Sequence, residues 1–133
     1  LEDAFGVASV VVGVLCMLAP RTPLFDAYNT TISAAFFGGA PMPEPALRLS
    51  HWLLATCGAG IVGWGLAWAY IAHVPFRRGE RWAHRCLAVS LVAWAALDVA
   101  AAAWFGVTGE LVFVTAAFVA AGIPLVATWR DVG

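Results

Sequence analysis

A chain of 133 residues has room for one compact unit and none for a separate catalytic domain beside it. It is 62% hydrophobic and 11% charged; ordinary soluble domains run to roughly 45–50% and about 25%, so the charges needed to cover a water-facing surface of this size are missing. Net charge is −1, and all seven basic residues are arginine, four of them between positions 77 and 85; no basic face is spread for nucleic acid.

The apolar residues fall in runs long enough for hydrocarbon. They predict an all-α integral membrane four-helix bundle, one domain over 1–133, with spans at about 4–20, 47–74, 86–105 and 111–129. The first run is short for a span and closes at Pro20. It has neither a basic front nor an Ala-x-Ala site, so it reads as a span and not as a signal peptide. The chain opens on Leu1 and not on Met, so further sequence is expected ahead of it.

Between the first two runs, Thr22-Pro23 supplies a hydroxyl N-cap followed by proline at the first helical position. A short interfacial helix is expected over about 23–37, with Phe36 and Phe37 dipping into lipid and Gly38-Gly39 ending it. PMPEP, at 41–45, then reads as a stiff extended linker. Pro75 closes the second run, Gly106 the third, and Pro124 sits inside the fourth.

Arginine placement predicts orientation. The loop PFRRGERWAH carries Arg77, Arg78 and Arg81, with Arg85 just behind, whereas the other end of the bundle has only Arg21 and Arg48. The positive-inside bias puts that loop in the cytoplasm, and both termini with it. Trp52 and Trp104 then fall at the outer border, Trp82 and Trp129 at the inner one, where indoles prefer to sit. A composition rich in Ala, Gly and Arg and devoid of Lys points to a bacterial inner membrane. In this reading Arg77, Arg78, Arg81 and Arg85 contact lipid phosphates or a partner, Pro75 stops one helix, Gly79 allows the turn, and Glu80 pairs with an arginine.

Asp98 is the sharpest polar feature. An Asp at a helix centre costs ~2.5–3.5 kcal/mol on insertion, while each Leu, Val or Phe returns only ~0.3–0.6. Leu87, Val89, Leu91, Val92, Leu97, Val99 and Phe105 together return roughly 2–4 kcal/mol, so this helix is near break-even alone. Asp98 is therefore expected to face the bundle interior, as a proton-carrying or ligand-binding carboxylate or as a hydrogen-bonded tie between helices. Trp94 and Ser90, at steps of four before it, share its face. Trp64 and Trp68 on the second helix are candidates to flank an apolar ligand with Trp94, or else to fill the core.

Ala55, Ala59, Gly63 and Ala67 recur at steps of four and form a smooth ridge for close helix packing, within the chain or against a partner. Cys16, Cys57 and Cys86 show no CxxC spacing and read as small buried residues. His51 and His73 lie 22 residues apart on one helix, about 33 Å, too far to share one iron. No phosphate loop, catalytic triad order or HxxxH spacing appears, so neither a metal site nor a cofactor is expected.

The stretch GWGLAWAYIAHVPFRRGERWAH at 63–84, followed by WAALD at 94–98, resembles a group of small four-helix bacterial membrane proteins, DoxX-like in size and layout. The resemblance implies the same fold and topology, and it implies no reaction. The tiny extramembrane mass, the small-residue ridge and the lack of a catalytic set point to a non-catalytic accessory or scaffold subunit, with membrane lipids and other membrane subunits as partners. The alternative is a binder of, or enzyme on, a quinone, isoprenoid or pigment held near Asp98. Ion- or proton-coupled transport calls for more than one buried charge, and Asp98 is the single one evident in the sequence.

Overall fold

The computed structural model describes residues 2–76 and 78–128. Arg77, Trp129 and Arg130 lie outside them, and with them one expected phosphate contact, one border tryptophan and the C-terminal arginine. All regular structure among the described residues is helical: α1 (Glu2–Leu18), α2 (Asp26–Phe37), α3 (Glu44–Ile71), α4 (Arg81–Phe105) and α5 (Thr108–Ala127).

Three helices are long and apolar enough to cross a membrane: α3 with its continuation to Phe76, α4 and α5. The first run behaves differently from expectation. At 17 residues α1 is short of the ~20 a span requires. It adds a fourth crossing only if Ala4–Leu18 and Pro23–Phe37, bent by 108° from each other, count as one broken span.

Local chemistry explains the breaks. Thr22 does precede a helical turn, Pro23–Phe25, but its hydroxyl caps nothing there. It donates instead to the Ala19 carbonyl at 2.8 Å, closing the end of α1. α2 ends where Gly38 turns left-handed at φ 61°. Of PMPEP only the first three residues are extended; Glu44 and Pro45 already form the first turn of α3, where proline's missing N–H costs nothing. Glu44 there accepts from Arg48 Nε at 3.0 Å, an exposed i,i+4 pair. Pro75 sits inside a wide π-helical turn, Ala72–Phe76, which closes with Glu80 N–H donating to Pro75 O at 3.1 Å. Gly79 (φ 71°) completes the reversal. Among the described residues Glu80 does not pair with an arginine: it accepts from the Trp82 indole.

α1 packs chiefly against α3, and α4 against α5. The α1–α3 contact is glycine-mediated. Gly6 sits against Ala69, Gly65 against the Gly6 carbonyl, and Gly13 against Gly58 and Val62. Numbers rise on one helix as they fall on the other, so the two run antiparallel. The packed ridge of α3 is thus Gly58 and Gly65, seven residues apart. The expected ridge lies elsewhere on the helix: Ala59, Gly63 and Ala67 are exposed, Ala55 is half-buried, and among the described residues nothing beyond Gly63's own stretch of helix comes within 4 Å of a β-carbon placed on it.

The core lies toward the arginine-loop end. Trp68 and Ala72 of α3, Leu87 and Leu91 of α4, and Ala121 and Leu125 of α5 form one buried cluster, with Phe5, Trp64, Ile71, Phe76 and Trp94 packed against it. Outside it the helices present bare hydrocarbon: Leu97 is 73% exposed, Val112 74% and Val126 76%. Such large side chains at this density are costly in water and cheap in lipid. Cys16 is buried, but Cys57 and Cys86 face outward, against the expectation that all three are internal.

Candidate functional site

α3 and α4 bring Trp64, Trp68 and Trp94 together, as their shared faces imply. Trp64 and Trp68 rings lie 5.1 Å apart, Trp64 and Trp94 5.8 Å. Phe5 of α1 completes the group at 5.7 Å from Trp64 and 5.1 Å from Trp68. Trp68 is 1% exposed. These rings fill one another's space, which is the core role for aromatics at helical spacing. Ser90 spends its hydroxyl on its own helix, donating to Leu87 O at 3.0 Å.

Asp98 lies one turn beyond Trp94, away from the aromatic cluster and toward the Gly106 turn. It is half-buried, and neither a hydrogen bond nor an ion pair reaches it from the described residues. What α5 brings near it is Glu110, half-buried in that helix's first turn and within electrostatic reach of Asp98. The hairpin brings both acids to one end: α4 stops at the Gly106 turn, α5 starts at Thr108, and Asp98 lies eight residues before Gly106 while Glu110 lies four after it. A second acid, half-buried like Asp98, thus lies at the same end of the hairpin.

α2 packs against this end of the hairpin. Thr31 packs on Gly109, where an added β-carbon would lie 2.7 Å from the threonine hydroxyl, and the Phe36 and Phe105 rings meet at 6.3 Å. This seats Tyr28, one turn before, within electrostatic reach of Glu110 and beside Ser50 of α3. Burial pushes the Tyr28 phenol above the ordinary tyrosine range; a hydrogen bond with the Ser50 hydroxyl takes back part of that rise, and the nearby Cys57 thiol and Glu110 carboxylate add smaller rises.

Asn29 Oδ1 and both ring nitrogens of His51 are enclosed without hydrogen-bond partners among the described residues. Ser50 is 8% exposed. The other end is more conventional. His84, 3% exposed, stacks on Phe76 at 5.5 Å, while Arg78, Arg81 and Arg85 are exposed around the loop. Among the described residues no group of three or more His, Cys, Asp or Glu side chains is placed to hold a metal ion.

Tyr28, Ser50 and Glu110 carried no signal in the sequence. Glu110 follows Thr108-Gly109 at a helix start, where an acid is favoured by the helix dipole whatever else it does. Only the two-residue turn, which brings it to the same end of the hairpin as Asp98, would have marked it. No protein-family model, no curated protein and no solved structure matches the chain, so family membership rests on no comparison.

Proposed function

We propose that the chain is a non-catalytic accessory or scaffold subunit of a larger bacterial membrane complex. In this reading it is a four-span bundle in the inner membrane, with the arginine loop and both termini in the cytoplasm and α2 lying at the outer interface. The observation that supports the subunit role is the outward ridge of α3. Ala59, Gly63 and Ala67 give a smooth strip on which a foreign helix could lie as closely as α1 lies on Gly58 and Gly65. Exposed Trp52, Leu66 and Tyr70 border that strip and supply contact area. Arg78, Arg81 and Arg85 stand free for lipid phosphates or for a cytoplasmic face of the same partner.

The competing reading places a quinone, isoprenoid or pigment near Asp98 with Trp94, Trp64 and Trp68. The geometry favours it less, because the three indoles spend their faces on each other and on Phe5.

Purification from native membranes in a gentle detergent, followed by a blue-native gel, tests the subunit reading. The wild-type chain migrates with a larger assembly, and Gly63→Leu releases it as a folded, free protein. A strictly monomeric wild-type particle overturns the reading.

A further inference from the structure

We infer that the outer face of α4 seats one anionic phospholipid, its phosphate held by Arg81 and Arg85 and an acyl chain lying along Val89, Val92 and Ala96. The inference rests on the bilayer setting of the proposed function and not on its partner subunit, and it commits these two arginines to lipid.

At 3.6 residues per turn, Arg81, Arg85, Val89, Val92 and Ala96 fall within an arc of about 80° on α4. All five are exposed. The helix packs through another face, where Ala83, His84, Leu87 and Leu91 are buried, so this stripe is not spent on the fold. Its chemistry changes along its length. Two guanidiniums occupy the first two turns, and bare hydrocarbon follows, with Val89 68% and Val92 56% exposed. Helix rise puts Ala96 about 16 Å beyond Arg85, close to half of a ~30 Å hydrocarbon core and so to the depth of one leaflet. A phospholipid matches both parts of the stripe; an acidic protein surface would match the arginines alone. Trp82, 55% exposed between the two arginines in sequence, prefers the membrane border and so sets them at headgroup depth.

The charge at this end calls for an anion. Glu80 is the single acid between positions 45 and 97, and its carboxylate accepts from the Trp82 indole. Among the described residues no ion pair reaches Arg78, Arg81 or Arg85, whereas Arg48 at the other end has Glu44. Arg81 and Arg85 stand one turn apart, where like charges repel unless an anion lies between them. A phosphodiester supplies that anion and accepts charge-assisted hydrogen bonds from both. α1, which begins with Glu2 and Asp3, packs on α3, α5 and the Ala72–Phe76 turn, and leaves the stripe open.

Native mass spectrometry tests this on the full chain, released from detergent micelles that hold equal amounts of phosphatidylglycerol and phosphatidylcholine with the same acyl chains. The wild type retains phosphatidylglycerol in preference. Arg81→Gln and Arg85→Gln each cut that preference about fivefold, the worth of one basic residue at an anionic surface. Arg85→Lys keeps most of it, and Arg21→Gln, at the other end of the molecule, leaves it unchanged. Val89→Ser with Val92→Ser weakens retention of both lipids alike, and inorganic phosphate in excess displaces neither. Far-ultraviolet circular dichroism is the same for every variant. The inference is overturned if the wild type retains the two lipids equally, or if Arg81→Gln with Arg85→Gln keeps the preference. It is equally overturned if Arg21→Gln lowers the preference as much as Arg85→Gln, which would make the attraction one of overall charge, or if the valine substitutions change nothing or phosphate displaces the lipid, which would leave the acyl chain without a seat. Each of these results is independent of the blue-native migration that tests the subunit reading.

Discussion

Gly13 and Gly58 meet backbone to backbone. A β-carbon on Gly13 would sit 2.5 Å from the Gly58 carbonyl oxygen, and one on Gly58 would sit 2.6 Å from that of Gly13. Neither carbonyl can swing aside, because each is tied into its own helix. Gly58→Ala therefore forces α1 and α3 apart, at a cost of about 1–3 kcal/mol, the usual range for overpacking. Gly63→Ala, in open space on the same helix, changes stability by no more than about 1 kcal/mol and in the favourable direction, through helix propensity. Detergent-titrated unfolding of the two variants side by side measures the difference.

The tryptophans divide in the same manner. Trp68 at 1% exposure anchors the cluster that joins α3 to α4 and α5, so Trp68→Ala costs roughly 3–5 kcal/mol, as other buried aromatics do. Trp104 is 85% exposed, and Trp104→Ala changes unfolding by about 0.5 kcal/mol or less. Thermal melts followed by circular dichroism separate them.

Gly106 stops α4 in the left-handed region at φ 71°, with nothing within 4 Å to obstruct a side chain. Gly106→Ala consequently pays for conformation alone, about 1–2 kcal/mol. The same melts read this out, and Gly106→Asn recovers part of the loss because asparagine tolerates that region.

Tyr28 gives the pH dependence. Its phenol is held neutral by burial, so its folded-state pKa lies above the ordinary value. The stability this contributes is complete below the unfolded pKa and is lost as pH rises through the folded one. Stability thus falls with alkaline pH in the wild type, and Tyr28→Phe flattens that fall. Tyrosinate absorbance in the near ultraviolet, taken as the difference between the two proteins, locates the titration.

Much of the architecture was legible because hydrocarbon leaves so simple a mark. The runs ending at Gly106 and around Pro75 became α4 and α3, and Trp64, Trp68 and Trp94 converged as their spacing implied. Which face of α3 would bury was not legible. Small residues occur all round that helix, and a step of four (Ala55, Ala59, Gly63, Ala67) looks as good as the step of seven (Gly58, Gly65) until the matching notches Gly6 and Gly13 on α1 are set against it. The same limit hid the second acid. Asp98 announces itself by interrupting an apolar run, whereas Glu110 sits at a helix start, where acids are common; only the tight turn at Gly106 brings both to one end of the α4–α5 hairpin.

The pairing of α1 with α3 also fixes an order of events during synthesis. The notches at Gly6 and Gly13 are made first and stay unfilled until Gly58 and Gly65 emerge some fifty residues later, after the whole of α2. A ribosome stalled before α3 would leave α1 short and unmated. Of these two helices, the one made earlier is therefore the one whose place in the finished molecule waits on the arrival of the other.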